Sequence, residues 1–166
     1  MKKLIYFLFF SLFVTSLQAQ DYKYQSLFVY NFTKYIQWPA NGQSGEFVIG
    51  VLGNSPMVGE LEKVCSNKTV GTQKIVIKKL ANVAEAETCQ MVFIPLDSST
   101  KFDAALEALK NKPILVITEK DGLGKKGSGI NFVINDGKMR FELNQAATQS
   151  AGLKVSSQLT SLAIAM

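Results

Sequence analysis

The 166-residue chain contains no histidine. That absence removes Ser-His-Asp and Cys-His nucleophile arrangements and the common imidazole metal sites. Cys65 and Cys89 are too far apart in sequence for a zinc-knuckle pair, and no third thiol joins them. The acid pairs Glu60/Glu62 and Glu85/Glu87 are spaced two apart on expected helices, which points their side chains away from each other. The expectation is a protein that is not an enzyme and needs neither a cofactor nor a metal. Arginine is nearly absent as well: Arg140 is the single one, and the lysines are spread along the chain. Nucleic-acid binding calls for clustered basic residues, so that class is set aside.

Long apolar runs are also missing beyond the first residues, so no later segment can cross a bilayer as a helix. At the start, Lys2 and Lys3 precede an apolar run over residues 4–14 and a small, polar stretch over 15–19. This reads as a signal peptide over residues 1–19, cleaved after Ala19 with Leu17 at the −3 position. No cysteine follows the run, which argues against a lipid anchor; a retained N-terminal anchor is the rival reading. The formal charge of +5 falls to +3 once Lys2 and Lys3 leave with the leader. Residues 20–166 are then one domain's worth of chain, exported and large enough for a core. In an oxidising compartment an even cysteine count favours a bridge. Cys65 ends one expected helix and Cys89 precedes an expected strand, both at the N-terminal edge of the sheet. A Cys65–Cys89 disulfide is expected, with two buried free thiols as the rival.

Apolar periodicity orders the rest. Residues 21–38 read as a helix stopped by Pro39, with aromatic residues on most of its sides. Such a helix is either sandwiched in the core or offers a face to a partner. Phe47–Leu52 is a short apolar run of the kind that forms a buried strand. Ser55 as N-cap and Pro56 at N1 open a helix running to about residue 65. Strands at 74–79, 91–95 and 114–118 alternate with helices at 82–88 and 98–110. That alternation predicts an α/β fold: one three-layer, doubly wound, Rossmann-like domain with a mostly parallel sheet and flanking helices.

The C-terminal stretch closes the sheet. Ile130–Asn135 and Lys138–Leu143 alternate in apolar character around Asn135-Asp136-Gly137, residues that tolerate the positive φ of a tight turn. An antiparallel hairpin follows from this, and Asn144 then caps a helix that Gly152 stops. Gly122, Gly124 and Gly127 have the spacing of a dinucleotide-binding loop, but a strand follows where that motif needs a helix. The loop reads instead as a mobile surface segment, and Lys125 and Lys126 are available to an anionic ligand.

Candidate binding residues follow from this outline. Gly53, Asn54 and Ser55 precede a helix N-terminus and could cradle a phosphate or carboxylate. Arg140 and Glu142 share the polar face of the return strand, with Asn131 and Asn135 as possible cross-strand neighbours; the group reads either as a stabilising surface or groove network or as a recognition site, where a guanidinium suits a carboxylate partner. Trp38 is either a core plug or a binding anchor.

Several stretches together resemble the YfiR family of small bacterial periplasmic proteins. They are an aromatic N-terminal helix ending in Trp38-Pro39, the run from Phe47 to Gly53, Ile130-Asn131-Phe132, and the run from Lys138 to Asn144. Gly152-Leu153 and Ser156-Ser157 complete the pattern. The resemblance implies a compact α/β domain, often a homodimer, that restrains an inner-membrane signalling protein by contacting its periplasmic part. That partner would be a diguanylate cyclase or a sensor kinase, and repression would lower cyclic di-GMP and biofilm formation. Tyr30, Asn31, Lys34, Trp38, Asn131, Arg140, Glu142 and Asn144 are the expected contact residues. This chain departs from members with two disulfides, which puts redox switching in doubt. The alternative is a small-molecule-binding module with its pocket at the C-terminal edge of the sheet, lined by Gly53, Asn54, Ser55, Arg140 and the glycine loop.

Overall fold

The computed structural model describes residues 21–39, 45–164 and 166. The expected leader and most of the loop at 41–45 lie outside the described residues. The chain folds as helix α1 (residues 21–35), β1 (Ile36–Gln37), β2 (Phe47–Leu52), α2 (Met57–Cys65), β3 (Thr69–Val70) and β4 (Gln73–Leu80). Next come a 3-10 turn (Ala84–Thr88), β5 (Met91–Ile94), a second 3-10 segment (Leu96–Lys101), α3 (Phe102–Leu109) and β6 (Leu115–Thr118). The chain ends with β7 (Ile130–Asn135), β8 (Lys138–Leu143), α4 (Gln145–Ser150), β9 (Lys154–Val155) and α5 (Ser157–Leu162).

Seven strands form one sheet in the order β3-β4-β2-β5-β6-β7-β8. The five inner strands are parallel, and the edge strands β3 and β8 run antiparallel to their neighbours. The central strand β2, FVIGVL, is buried at all six positions, as a strand covered on both faces must be. Because side chains alternate across a strand, the register sorts the core into two halves. Phe47, Ile49 and Val51 line up with Ile75, Met91, Phe93, Leu115, Ile117, Ile130 and Phe132 on one face, against Val29, Phe32 and Ile36 of the N-terminal segment and Met57 and Leu61 of α2. Val48 and Leu52 face the other way with Leu80, Val92 and Val116, beneath Phe102, Ala105 and Leu109 of α3. Burying each large apolar side chain contributes roughly 1.5–3 kcal/mol.

Helix α1 is amphipathic after all. Gln25, Val29 and Phe32 recur at helical spacing on its buried side, and Phe28 packs edge-on against Phe132 with ring centroids 6.1 Å apart. The helix stops at residue 35, three residues before the expected end. Ile36 and Gln37 instead pair antiparallel with Val155 and Lys154, and Ser156 N–H donates to Tyr35 O. The tie needs β9, a two-residue strand with no periodicity of its own. Two other expected helices, 82–88 and the start of 98–110, are 3-10 turns, and α3 begins only at Phe102.

The hairpin turn has Asp136 at φ 50° and Gly137 at φ 69°, the left-handed pair of a tight two-residue connection. Asn144 Oδ1 accepts from Ala147 N–H at 2.9 Å to cap α4, and Gly152, at φ 70°, ends it.

The expected disulfide is corrected. Cys65 and Cys89 are both buried free thiols, and the sheet separates them. Cys65 packs in the α1/α2 half of the core and Cys89 in the α3 half. Cys89 Sγ occupies space left by Gly50, where a Cβ would come within 2.8 Å of it. Burial pushes the Cys65 thiol up to about 11 and also raises that of Cys89, so both keep their protons at neutral pH.

Candidate functional site

Parallel strands direct their carboxyl ends to one edge of the sheet, where loops leave a crevice. Here that edge holds a cavity of about 380 Å³ between the start of α1, the segments after β5 and β6, and the β7–β8 hairpin. Glu119, the residue after β6, organises its wall. Its Oε1 accepts from Tyr22 O–H at 2.9 Å and from Leu96 N–H at 2.8 Å, and its Oε2 accepts from Gln25 Nε2 at 2.9 Å. One carboxylate thus joins α1, the β5 exit and the β6 exit. Burial first, then the adjacent Glu119 charge, raises the Tyr22 phenol above its ordinary value, so it remains a neutral donor.

Asp21, Asp97 and Asp121 line the same cavity, and none of the four carboxylates has an ion-pair partner among the described residues. The opposite wall is apolar, made by Phe132, Val133, Ile134 and Met139, and no lysine or arginine lines the cavity. Gln25 is 5% exposed, and its Oε1 has no hydrogen-bond partner among the described residues. A buried acceptor left unpaired costs about 1–3 kcal/mol.

The residues expected to bind an anion are otherwise engaged. Gly53 N–H donates to Leu80 O, and a Cβ on Gly53 would collide with Ser98 Oγ. Asn54 Oδ1 accepts from Lys79 Nζ at 3.1 Å, and Ser55 Oγ accepts from Met57 N–H at 3.2 Å. At the start of α2, Ser55 Oγ and Ser55 O thus take the Met57 and Val58 N–H groups, and the helix begins one residue later than expected, with Pro56 at N-cap.

Asn131 and Glu142 do come together, but inside a buried network. Thr118 Oγ1 donates to Asn131 Oδ1 at 2.6 Å, and Asn131 Nδ2 donates to Glu142 Oε2 at 3.0 Å. Ser128 Oγ adds contacts to Thr118 Oγ1 at 2.9 Å and to Ile130 O at 2.7 Å. The glycine loop lies over this network. Leu123 is buried in the α3 half of the core, a Cβ on Gly124 would meet Glu142, and Asn144 Nδ2 donates to Gly124 O at 2.9 Å. The expected mobile segment is a fastened lid over buried polar groups, with Lys125 and Lys126 exposed on its outside.

Arg140 is exposed, opposite Val133 and on the sheet face away from α1. It does not line the cavity. Trp38 is a core plug: it is 6% exposed, stacks edge-on against Phe47 at 4.9 Å, and donates Nε1–H to Gln90 O at 3.1 Å. Tyr30, Asn31 and Lys34 do meet, on the outer side of α1. Lys34 Nζ donates to Asn31 Oδ1 at 3.0 Å and sits 4.6 Å from the Tyr30 ring centroid. Tyr24 at 50% and Leu27 at 42% exposure continue that outer stripe. Sequence reading missed Glu119, Tyr22 and Gln25. The signal for Glu119 was its place directly after a buried strand, where ligand-facing side chains gather.

Over residues 22–164, from the first turn of α1 through α5, the chain matches the YfiR/HmsC-like family, and it belongs to that family. No curated protein matches the chain.

Proposed function

We propose that the protein is an exported periplasmic regulator that binds and restrains an inner-membrane signalling protein, a diguanylate cyclase or a sensor kinase, through that partner's periplasmic part. Family membership supports the class. The observation that carries the surface is the outer stripe of α1, where Tyr24 and Leu27 stay exposed beside Tyr30, Asn31 and Lys34. Tyrosine is among the residues enriched at binding hot spots, and the exposed Leu27 beside Tyr24 adds apolar area to the same patch. The fold that presents it reads as a single doubly wound, Rossmann-like domain after a cleaved leader. The chain passes from β2 out to β4 and then back across to β5, with helices on both faces. A symmetric pair of copies is the family expectation for the resting state.

The test is capture. A tagged, exported copy is cross-linked in its native envelope and purified. Recovery of a cyclase or kinase, reduced by Leu27→Glu and unaffected by Arg140→Ala, supports the reading. Recovery of this protein alone removes it.

A second reading, a small-molecule-binding module, is favoured by the cavity around Glu119, whose size suits a small ligand. The two are compatible if an occupied cavity, which borders the first turn of α1, changes the surface that the helix presents.

A further inference from the structure

Strand β8 lies at one edge of the sheet, and the chain's own tail already pairs with part of it. Glu142 forms a parallel bridge with Ile164, and Ile164 N–H donates to Phe141 O at 2.9 Å. This edge therefore accepts a strand in ladder geometry.

The hairpin register fixes which main-chain groups face outward. A two-residue turn closes on a hydrogen-bonded pair, here Asn135 with Lys138, and bonded pairs alternate from there. Val133 with Arg140 and Asn131 with Glu142 are the next two, and Asn144 N–H donating to Gly129 O continues the series. Met139 and Phe141 thus turn their N–H and C=O groups away from β7, to the open side. The tail takes Phe141 O. Among the described residues, nothing takes Met139 N–H, Met139 O or Phe141 N–H.

Charge selects what can pair there. Lys138 and Arg140 are exposed on one face of the edge, in no ion pair among the described residues. Lys125 of the glycine loop lines a crevice with Ile164 at the same edge and adds a third cation. Of the hairpin's two acids, Glu142 accepts from Asn131 in the buried network, and Asp136 stands out at the turn. Basic side chains guard an edge against neutral or basic strands. They attract a strand that sets acids opposite them. The other face of the hairpin is apolar, with half-buried Met139 across from exposed Ile134.

We infer that the β8 edge docks an extended segment of a partner protein, alternating acidic and apolar residues, as an added strand. Its acids lie opposite Lys138 and Arg140, and its apolar residues extend the wall of Met139 and Ile134. The inference goes beyond the regulatory reading. It uses no residue of the outer stripe of α1 and gives Arg140 a separate contact.

The test uses the whole exported protein, isotope-labelled for amide exchange, and three short capped peptides. One alternates glutamate with valine, one carries lysine for each glutamate, and one keeps the glutamates but carries proline for each valine. The glutamate–valine peptide should slow exchange at Met139 and Phe141 N–H by about tenfold or more. The lysine and proline peptides should bind at least about tenfold more weakly, and sodium chloride should weaken the acidic peptide. Lys138→Glu with Arg140→Glu, both exposed, should reverse the preference toward the lysine peptide while exchange in β7 stays protected. Equal binding of the proline peptide would mean charge attraction without strand pairing and overturns the inference. So does unchanged exchange at Met139 and Phe141 with the acidic peptide at millimolar concentration. Slowing that follows protein concentration without any peptide gives the edge to a second copy and overturns it as well.

Discussion

Tyr22 on the first turn of α1 donates its hydroxyl proton to Glu119, 97 residues away at the exit of β6, across 2.9 Å. This bond ties the helix that carries the outer aromatic stripe to the edge of the sheet where the cavity lies. Removing the hydroxyl while keeping the ring isolates its contribution. Tyr22→Phe should lower stability by about 1–2 kcal/mol, because the bond is to a charged acceptor at a part-buried site. Urea unfolding followed by circular dichroism measures it, and an unchanged midpoint would show that Gln25 and Leu96 N–H hold Glu119 without it.

The buried chain Ser128–Thr118–Asn131–Glu142 should behave as a unit. Asn131→Ala removes the central member, leaves Glu142 Oε2 without its donor and leaves Thr118 Oγ1 with Ser128 alone, at an expected loss of about 2–4 kcal/mol. Glu142→Gln, which preserves shape and an acceptor oxygen, should lose less than half as much. Equal losses for the two would mean that the glycine loop over them, not the hydrogen bonding, holds this edge.

Two glycines make opposite predictions. A Cβ at Gly50 would lie 2.6 Å from Leu80 Cδ1 and 2.8 Å from Cys89 Sγ, between packed side chains of the second core. Gly50→Ala should destabilise by about 1–3 kcal/mol through overpacking. A Cβ at Gly59, inside α2, meets nothing within 4 Å. Gly59→Ala should stabilise by about 0.5–1 kcal/mol through helix propensity. Thermal melts of the two variants check both signs together.

The thiols give a pH prediction. Burial raises the Cys65 thiol from its ordinary value of 9.0 to about 11, so folding favours the protonated form. Its contribution is complete below pH 9 and is lost as pH rises toward 11. The fall in stability over that interval should be shallower in Cys65→Ala than in the parent. Ellman's reagent should find both thiols unreactive in the native protein and both free after denaturation. One disulfide after denaturation without reductant would contradict their placement on opposite faces.

The fold was legible in sequence wherever burial imposes a period. FVIGVL, the hairpin turn at Asp136-Gly137 and the Asn144 cap are local signals, and each stands where periodicity and turn chemistry placed it. Elements that depend on distant partners were not legible. The end of α1 is set by pairing of Ile36–Gln37 with β9, two residues whose strand character comes entirely from tertiary contact. The cysteines were misjudged for a related reason: their expected positions at one sheet edge said nothing about which face each side chain would take. The site was harder still. The polar face of β8 points either to a stabilising network or to a recognition site, and Asn131 and Glu142 form the network, beneath the glycine loop; Glu119, between a strand and a lysine, carries no local signal of its role beyond that place. Its importance arises only when β5, β6 and α1 converge.

The central claim is that the outer stripe of α1 meets a signalling partner. A photo-reactive phenylalanine analogue placed at Tyr24, compared with one at Glu107 on the exposed side of α3, tests it most directly in living cells. The account predicts an ultraviolet-dependent adduct between the Tyr24 probe and an inner-membrane cyclase or kinase, and none from the Glu107 probe. Adducts of equal yield from both positions, or from Tyr24 to nothing but a second copy of this chain, would contradict it.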